Sequence, residues 1–438
     1  MTMGAGERET MILELNDYLD DMKRCARCSL CKWPPLAQMK SWRFSNNCPS
    51  IARYNFHTYS GGGRMALGLA LAEGRLDTIT DEMLNIVYRC TACGACDSSC
   101  KYNSELELLW PIYSTRAYLA GMGYFLPEHS MIIESLRKED NTMMKPKADR
   151  GKWAEGLDVK DLSKGEKAEV VYHAGCLYCY DPELSAVARD TVLLLKEAGV
   201  DVGIRGSQET CCGSTAFQLG FQGEFTKFAE SNIDDWNAAG VAKVVTSCAC
   251  GFGIMKSVYP LLGKEMKFEV LHITQYLDEL LKQKRLKLSR SFPARVTYHD
   301  PCNLGRKSET YVPWKGEGKK VLGQFILREP EKIVHRGWNG IYEPPRDIIR
   351  SVPGIQLVEM ERIMEYSWCC GAGSGVKQTM NDLALWIASE RIEEAKSTGS
   401  EAIVTACPWC EQNLKEAVKE SGGNLAVYDI VELVRQAL

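Results

Sequence analysis

Apolar runs rich in β-branched residues alternate with amphipathic helical segments through the last two thirds of the chain. The run Val170-Val171-Tyr172 is typical of a buried strand, whereas apolar residues in the segment 228–236 recur at helical spacing. A later stretch repeats this pattern and is again helical at 383–392. Because strands alternate with helices, the sequence predicts two α/β units whose strands are parallel.

The two units are copies of each other. Two segments match at Ala, Val, Tyr, His and Cys, the tripeptide Cys-Cys-Gly occurs once in each copy, and a Val-Thr-x-Cys segment follows in both. The paired segments are residues 168–176 and 294–302, 211–213 and 369–371, and 245–248 and 404–407. The sequence therefore predicts a duplication in which the carboxyl ends of parallel strands carry the thiols.

Eight cysteines nearer the N-terminus have the spacing of iron-sulfur ligands. A triplet with two-residue gaps can hold three corners of a 4Fe-4S cube, and a distant cysteine can close the fourth. In two-cluster ferredoxins that fourth cysteine belongs to the other triplet, whereas zinc prefers two separate Cys-x2-Cys pairs. We assign one cluster to Cys25, Cys28, Cys31 and Cys100, and the other to Cys90, Cys93, Cys96 and Cys48.

This N-terminal region departs from bacterial ferredoxins at two places. Sixteen residues, 32–47, separate Cys31 from Cys48 where three are usual, and Lys101 stands in the place of a proline. The inserted loop is rich in Trp and Pro, so we expect it to shield a cluster, with contact to a partner as the alternative. The glycines at 61–63 lack a full nucleotide fingerprint, and we expect a plain turn there instead of a phosphate cradle.

Three domains follow from these patterns in an α/β protein. Residues 1–150 are predicted to form a mostly helical, ferredoxin-like domain with two clusters, 165–285 the first α/β domain and 292–438 the second. The basic residues 282–290 are expected to be an exposed linker. The second copy has about thirty-two additional residues before its Cys-Cys pair, which we expect to form a surface excursion that covers a site or meets a neighbour.

Composition narrows the environment and the partners. The 438 residues are 45% hydrophobic and 25% charged with a net charge of −4, which gives no reason to expect a nucleic-acid partner. No apolar run reaches the roughly 18 residues of a membrane span. The chain has an odd number of cysteines, 19, and residues 1–22 lack a secretory signal pattern. We therefore expect a cytoplasmic protein with reduced thiols and no disulfide framework.

The second copy carries five cysteines, one more than the four irons of a cubane require. They are Cys302, Cys369, Cys370, Cys407 and Cys410. This motif resembles the CCG-domain signature of heterodisulfide reductase subunits, and the resemblance implies that the five thiols hold a noncubane 4Fe-4S cluster. The N-terminal triplets resemble the small two-cluster subunit of that family. The whole chain therefore resembles the fused D-type subunit, with two CCG domains behind a ferredoxin-like domain.

The first copy departs from the five-cysteine motif. It has Gly251 where the fifth ligand is expected, Cys250 one place early, and an additional thiol at Cys179. The candidate ligands in this copy are Cys176, Cys211, Cys212, Cys248 and Cys250. A noncubane cluster with Cys250 or Cys179 as the fifth ligand, an ordinary cubane, and no cluster at all remain alternatives.

The resemblance implies an oxidoreductase subunit and leaves several functions open. In the first, the chain relays electrons in an anaerobic complex between a flavin-containing heterodisulfide-reductase-A-like partner, with other redox subunits, and a terminal reductase such as class II benzoyl-CoA reductase. In the second, it reduces heterodisulfides or other disulfides at a noncubane cluster. In the third, it is the iron-sulfur subunit of a hydroxy-acid or glycerol-phosphate dehydrogenase. Clusters that serve only as structural staples are a non-redox alternative.

Two histidines occupy equivalent positions, three residues before the first cysteine of each copy. His173 and His299 could supply protons beside a reducible cluster. We expect them instead to be packing or hydrogen-bonding residues that the duplication preserved. No residue is assigned as catalytic.

Overall fold

The computed structural model of the protein describes residues 12–323 and 325–438. Residues 1–11, where the first predicted domain begins, lie outside the described part. No helix in that part is both long and apolar enough to cross a lipid bilayer.

The N-terminal domain consists of short helices. A 3-10 turn, Leu15–Tyr18, directly precedes the first of them. The helices are α1 Leu19–Arg24, α2 Pro49–Tyr54, α3 Gly61–Ala72, α4 Asp81–Tyr88, α5 Ala95–Ser104, α6 Leu109–Gly121 and α7 Pro127–Glu139.

The first α/β unit follows directly. Its strands are β1 Lys160–Asp161, β2 Val170–Tyr172, β3 Val202–Ile204, β4 Lys243–Thr246 and β5 Glu269–His272. Its helices are α8 Cys176–Tyr180, α9 Ser185–Glu197, α10 Ser214–Leu219, α11 Gln222–Ala239, α12 Ala249–Ser257 and α13 Ile273–Lys282. Because β1 pairs with β3, we place the start of this unit at Lys160, before the predicted residue 165.

The second α/β unit repeats the first and adds a hairpin. Its strands are β6 Ala294–Tyr298, β7 Glu317–Val321, β8 Phe325–Glu329, β9 Ile355–Leu357, β10 Ala402–Thr405 and β11 Ala426–Asp429. Its helices are α14 Glu343–Ser351, α15 Val376–Thr379, α16 Asn381–Ser397, α17 Pro408–Glu420 and α18 Ile430–Ala437.

The two large sheets have the same topology, which confirms the duplication. The first has the order β1-β3-β2-β4-β5 and the second β9-β6-β10-β11, with every pairing in both sheets parallel. The central strand β2 is fully buried, and Val171 lies in register with Gly203 on one side and Val244 on the other. Helices therefore cover both faces, as the apolar strand sequences predict.

The two units pack against each other through their helices and through buried polar contacts. Helix α18 packs on α9, and α14 packs on α13. The buried Tyr178 hydroxyl donates to Asp429 Oδ2 over 3.1 Å, and Gln412 Nε2 donates to Asp181 Oδ2 over 2.8 Å. The linker between the units is largely exposed, apart from the buried Leu286.

The additional residues of the second unit form the antiparallel hairpin β7–β8 and its flanking segments. The hairpin is largely exposed, and one residue of β8 together with the flank before β7 contacts the N-terminal domain. Tyr311 stacks on Trp110 with ring centroids 4.0 Å apart, and Arg328 pairs with Glu105 over 3.0 Å. The excursion thus covers part of the N-terminal domain.

Candidate iron-sulfur sites

Most cysteines of the α/β units lie where a strand ends and a helix begins. Strand β4 ends at Thr246 and Cys248 caps α12, while β10 ends at Thr405 and Cys407 caps α17. Cys176 is the first residue of α8. Helix N-termini favour negatively charged groups, so these positions suit thiolates that are bound to a metal.

We group the predicted ligands into four sets and number the sets in the order in which they neighbour one another in the structure. Set 1 is Cys25, Cys28, Cys31 and Cys100; set 2 is Cys48, Cys90, Cys93 and Cys96; set 3 is Cys302, Cys369, Cys370, Cys407 and Cys410; set 4 is Cys176, Cys211, Cys212, Cys248 and Cys250.

In the N-terminal domain each triplet has the fourth cysteine of the other triplet beside it. Burial raises the pKa of Cys100, and the thiols of Cys31, Cys25 and Cys28 raise it further. Burial likewise raises the pKa of Cys48 to about 12, and Cys90 is among its neighbours. Helix α5 carries Cys96 and Cys100 one turn apart, which lets a single helix serve both sets.

The glycine triplet belongs to a helix, so the prediction of a plain turn is wrong. Ser60 caps α3 by accepting from Gly63 N over 3.1 Å. A Cβ on Gly61 would lie 3.3 Å from Cys96 Sγ, and one on Gly62 would lie 3.7 Å from Cys25 Sγ. The helix therefore begins between sets 1 and 2, where its backbone approaches both. A capping serine before the triplet was the missed signal.

The glycine of each Cys-Cys-Gly tripeptide has a backbone conformation that other residues rarely adopt. Gly213 has φ +75° and Gly371 has φ +95°, and a Cβ on Gly371 would lie 2.3 Å from Ala384 O. Each turn directs an amide back to sulfur, because Gly213 N donates to Cys211 Sγ and Gly371 N to Cys369 Sγ, both over 3.3 Å. Such donors stabilise reduced iron-sulfur clusters.

Set 3 lies against set 2. A hydrogen bond from Cys369 lowers the pKa of Cys93, and Cys369 Sγ also donates to Thr91 Oγ1 over 3.4 Å. Arg306 of the second unit donates from Nε to Cys93 O over 2.6 Å. Within the set, hydrogen bonds from Cys369 and then Cys410 lower the pKa of Cys370. The second α/β unit therefore contacts the N-terminal domain where set 3 meets set 2.

Set 3 also meets set 4 across the interface of the two α/β units. The ligand atoms of Cys248, Cys250 and Cys407 all lie within 4.8 Å of one another. Asn303 Nδ2 donates to Cys250 Sγ over 3.1 Å and to Cys302 Sγ over 3.7 Å. The interface therefore places thiols from both copies of the repeat in one group.

Cys179 lies in a different environment from Cys250. Its thiol donates to Glu209 Oε1 over 3.7 Å, and burial raises its pKa, as does the charge of Glu209. Arg150 pairs with Glu209 over 2.9 Å and lies 3.5 Å from Cys176 Sγ. Cys179 therefore lies beside set 4 and contacts the buried ion pair of Arg150 and Glu209.

The equivalent histidines differ in their surroundings. His173 is buried, packs edge-on against Trp236 and lies 3.7 Å from Glu209, which fits the expected packing role. His299 Nδ1 accepts from Arg391 Nε over 3.1 Å, while its ligand atoms lie within 4.8 Å of Cys370 and Cys410. His299 Nε2 is buried without a hydrogen-bond partner among the described residues. Only His299, of these two, faces a cysteine set.

Buried arginines connect the domains, and the sequence analysis missed them. Arg116 in α6 has 0% exposure and donates to Val87 O and Cys90 O in its own domain, to Gln218 O in the first unit and to Ser374 Oγ in the second. Isolated arginines in a helical pattern carry no sequence signal for this role.

The residues present fit iron-sulfur clusters. Grouped thiols with amide donors are the ligands that such clusters use, and burial keeps water from them. All nineteen cysteines, every one in the described part, are free, and eighteen are buried or partly buried.

Family comparisons agree with this arrangement. The 4Fe-4S dicluster domain family matches residues 21–104. The cysteine-rich CCG domain family matches residues 170–255 and 334–415. The second match begins after Cys302. We include Cys302 in set 3 because it corresponds to Cys176 in the repeat and its thiol contacts Cys369.

Curated relatives extend over nearly the whole chain. The D-type subunit of the dihydromethanophenazine:CoB–CoM heterodisulfide reductase of Methanosarcina acetivorans is 30% identical over 96% of this chain and 95% of its own length, and the Methanosarcina mazei protein gives the same values. The EtfAB:quinone oxidoreductase of Syntrophomonas wolfei is 28% identical over 80% of this chain and 46% of its own length. The chain therefore belongs to the family of D-type heterodisulfide reductase subunits, iron-sulfur oxidoreductases that combine a dicluster domain with two CCG domains.

Proposed function

We propose that the chain relays electrons through its four cysteine sets, from set 1 to set 4 or in reverse, within a multisubunit complex. The carrying observation is that successive sets lie close together, and that helix α3 begins between sets 1 and 2. The Cys31 thiol is close enough to raise the pKa of Cys96, which burial already raises. Cys369 contacts Cys93, and Cys407 contacts Cys248. Sets that follow one another without a gap are what a relay requires.

Each set is proposed to hold one iron-sulfur cluster, which would supply one-electron redox chemistry. We assign 4Fe-4S cubanes to sets 1 and 2, a noncubane 4Fe-4S cluster to set 3, and a cluster of either type to set 4. The chain itself contributes thiolate ligands, amide donors to sulfur, and burial that excludes water. Free thiols throughout also support a cytoplasmic location.

The partners in this proposal are a flavin-containing heterodisulfide-reductase-A-like protein on one side and a terminal reductase, such as class II benzoyl-CoA reductase, on the other. Support comes from relatives that are named as subunits or enzymes of electron transfer. No flavin fingerprint of its own is present in this sequence.

Native, anaerobic purification from the source organism tests the relay. We expect the chain to co-purify with a flavoprotein and with a tungsten or molybdenum subunit, as determined by mass spectrometry, flavin fluorescence and metal analysis. Isolation as a lone protein that reduces disulfides with an artificial electron donor would overturn the relay.

A second candidate function is disulfide reduction at set 3, favoured by a cavity beside it. This cavity has a volume of about 50 Å³ and is lined by Asn303, Arg306, Lys307, Trp110 and Tyr113, among others. Lys307 Nζ and Arg306 Nη2 are buried there without hydrogen-bond partners among the described residues. The cavity has room for one carboxylate of an anionic disulfide, which would satisfy both cations. Reduction of that disulfide to two thiols consumes two electrons from the relay and two protons.

Kinetics with a defined substrate separate this candidate from the relay. With reduced methyl viologen as donor and oxidised glutathione as the anionic disulfide, we expect Lys307→Met to raise KM about tenfold, the equivalent of about 1.4 kcal/mol. Lys287→Met, in the exposed linker, is the matched control. Absence of any disulfide turnover by the wild-type protein would eliminate the candidate.

A further inference from the structure

The sequence around set 1 has a charge distribution unlike the rest of the chain. Residues 22–72 contain eight lysines and arginines and no aspartate or glutamate, although the whole chain has a net charge of −4. Part of this charge is internal, since the buried Arg64 donates to backbone carbonyls. Most of it lies at or near the surface, so this end of the molecule presents a positive face.

Three of these cations carry no compensating charge from the protein. Arg27 and Lys40 are exposed and Lys32 is partly exposed. None of the three has a carboxylate oxygen within 4.0 Å in the described part of the chain, whereas Arg43 in the same loop pairs with Glu390 over 2.7 Å. Unpaired surface cations remain available to an anionic partner.

Large apolar side chains of the same segment are also exposed. Trp42 is 82% exposed, Leu36 81% and Phe56 65%. Exposed tryptophans are rare on surfaces that face only water and are enriched at the centres of protein interfaces. The face therefore combines the two features of a protein docking site, apolar anchors and a charged rim.

The loop that carries Leu36 and Trp42 is held in place at its ends. Asn47 N donates to Lys32 O over 2.6 Å, and the buried Phe44 anchors the inner side. Arg362 donates from Nη1 to Asn46 O over 2.7 Å, which ties the loop to the second unit. Trp42 therefore points outward from a loop that is held in place. A side chain on such a loop loses little conformational entropy on binding. The outer side of this loop presents Leu36 and Trp42 to solvent.

Set 1 reaches the surface within this face. Cys28 is the one exposed cysteine of the nineteen. The Oγ of its neighbour Ser29 lies 3.3 Å from Nδ1 of His57. This contact brings the exposed Phe56, which precedes His57, close to Cys28. Electron transfer weakens steeply with distance, so a partner that meets the relay at set 1 must approach here.

We propose that Arg27, Lys32, Lys40, Leu36, Trp42 and Phe56 form a docking face for an acidic redox protein that exchanges single electrons with set 1. The inference rests on the proposed relay and identifies its outer end. Complementary charge would steer the acidic partner, and Trp42 would anchor it. A lipid surface with anionic head groups fits the charges as well, but it offers no redox centre to the exposed Cys28.

Stopped-flow kinetics on the cluster-loaded, full-length protein test the docking face. The probe is reduced flavodoxin, an acidic one-electron carrier, and the observable is the second-order rate of cluster reduction at several salt concentrations. We expect Lys40→Glu to lower this rate about fivefold at low salt, with the difference vanishing at high salt because screening removes the steering. Trp42→Ala is expected to lower the rate at every salt concentration.

Two controls make the test specific. Lys287→Glu changes the same charge in the exposed linker and is expected to leave the flavodoxin rate unchanged. Reduced methyl viologen is a small cation, so Lys40→Glu should not slow its reaction. Iron content and cluster spectra report whether each variant is intact.

Three results would overturn the docking face. The first is an unchanged flavodoxin rate and salt dependence in Lys40→Glu and Trp42→Ala. The second is an equal loss in Lys287→Glu. The third is flotation with phosphatidylglycerol vesicles that Lys40→Glu abolishes while the flavodoxin rate stays the same, which would assign the face to a membrane surface. Failure of the relay can be distinguished from failure of the docking face. If the relay fails, reduced methyl viologen reduces set 1 but sets 3 and 4 stay oxidised.

Discussion

The two α/β units share a fold and differ in their sites. Four parallel strands occur in the same order in both, and each sheet presents cysteines after its two central strands. The second unit has Cys410 one helical turn after Cys407, whereas the first has Cys250 two residues after Cys248. The second unit also places His299 beside its thiols, while His173 packs against Trp236 and lies near Glu209.

This difference shows which part of the duplication was free to change. The strands are buried on both faces, so their apolar sequence is constrained by packing. The loops and helix starts at their carboxyl ends are constrained only by what they bind. Two copies of one scaffold can therefore hold different ligand sets, and the site with five regular cysteines is the one that lies between the N-terminal domain and the other copy.

Removal of the first cysteine of each Cys-Cys pair tests the comparison most strongly. Cys369→Ala should abolish iron binding at set 3, and Cys211→Ala should abolish it at set 4, because each thiol contacts two others of its set. The consequences should differ. Loss of set 3 interrupts the path from set 2 to set 4, whereas loss of set 4 leaves set 3 reducible.

Iron analysis and freeze-quench electron paramagnetic resonance measure both effects. Rapid reduction of set 4 by flavodoxin in Cys369→Ala would contradict the order of the sets.

The fifth position of set 4 can be decided by two single substitutions. Cys250→Ser should lower the iron content of set 4, because Cys250 lies within 4.8 Å of Cys248. Cys179→Ser should leave it close to the wild-type value, because the Cys179 thiol is engaged by Glu209. Metal content per chain is the measurement, and the reverse result would make Cys179 the ligand.

Converting the first copy toward the second should change its spectrum without harming its fold. The combined change Cys250→Ser and Gly251→Cys restores the spacing of Cys407 and Cys410. An added Cβ at Gly251 meets nothing closer than 3.4 Å, and removing a helical glycine is worth roughly 0.5–1 kcal/mol in stability. We expect set 4 to acquire the Mössbauer signature of set 3. An unchanged signature would mean that the ligand spacing does not set the cluster type.

The histidines give the smallest expected effect. His299→Ala removes a polar group beside Cys370, and an interaction of about 1 kcal/mol corresponds to a shift of roughly 40 mV in the reduction potential of set 3. His173→Ala is the matched control and should leave the potentials of sets 3 and 4 unchanged. Potentiometric titration followed by electron paramagnetic resonance is the measurement. Equal shifts in both variants would assign His299 a packing role as well.

Much of the fold could be predicted from the sequence, but few of the contacts at the sites could. The repeated strand segments and the helices near 228–236 and 383–392 were predicted, because periodicity and β-branched runs are local signals. The expected turn at 61–63 was wrong, since a capped helix start with three glycines is selected by the close approach of Cys96 and Cys25. The contacts of Arg116 and Arg306 could not be predicted either, because most of their partners are distant in sequence.

The sequence by itself determined the class of the protein, the duplication and the cysteine sets, since spacing along the chain is enough to recognise ligand triplets and a five-cysteine motif. The tertiary structure alone decided that neighbouring sets lie close together in one series, that Cys250 and Cys407 face each other across the two copies, and that Cys28 is exposed. These facts depend on how three domains pack, through contacts between residues hundreds of positions apart that no local pattern encodes.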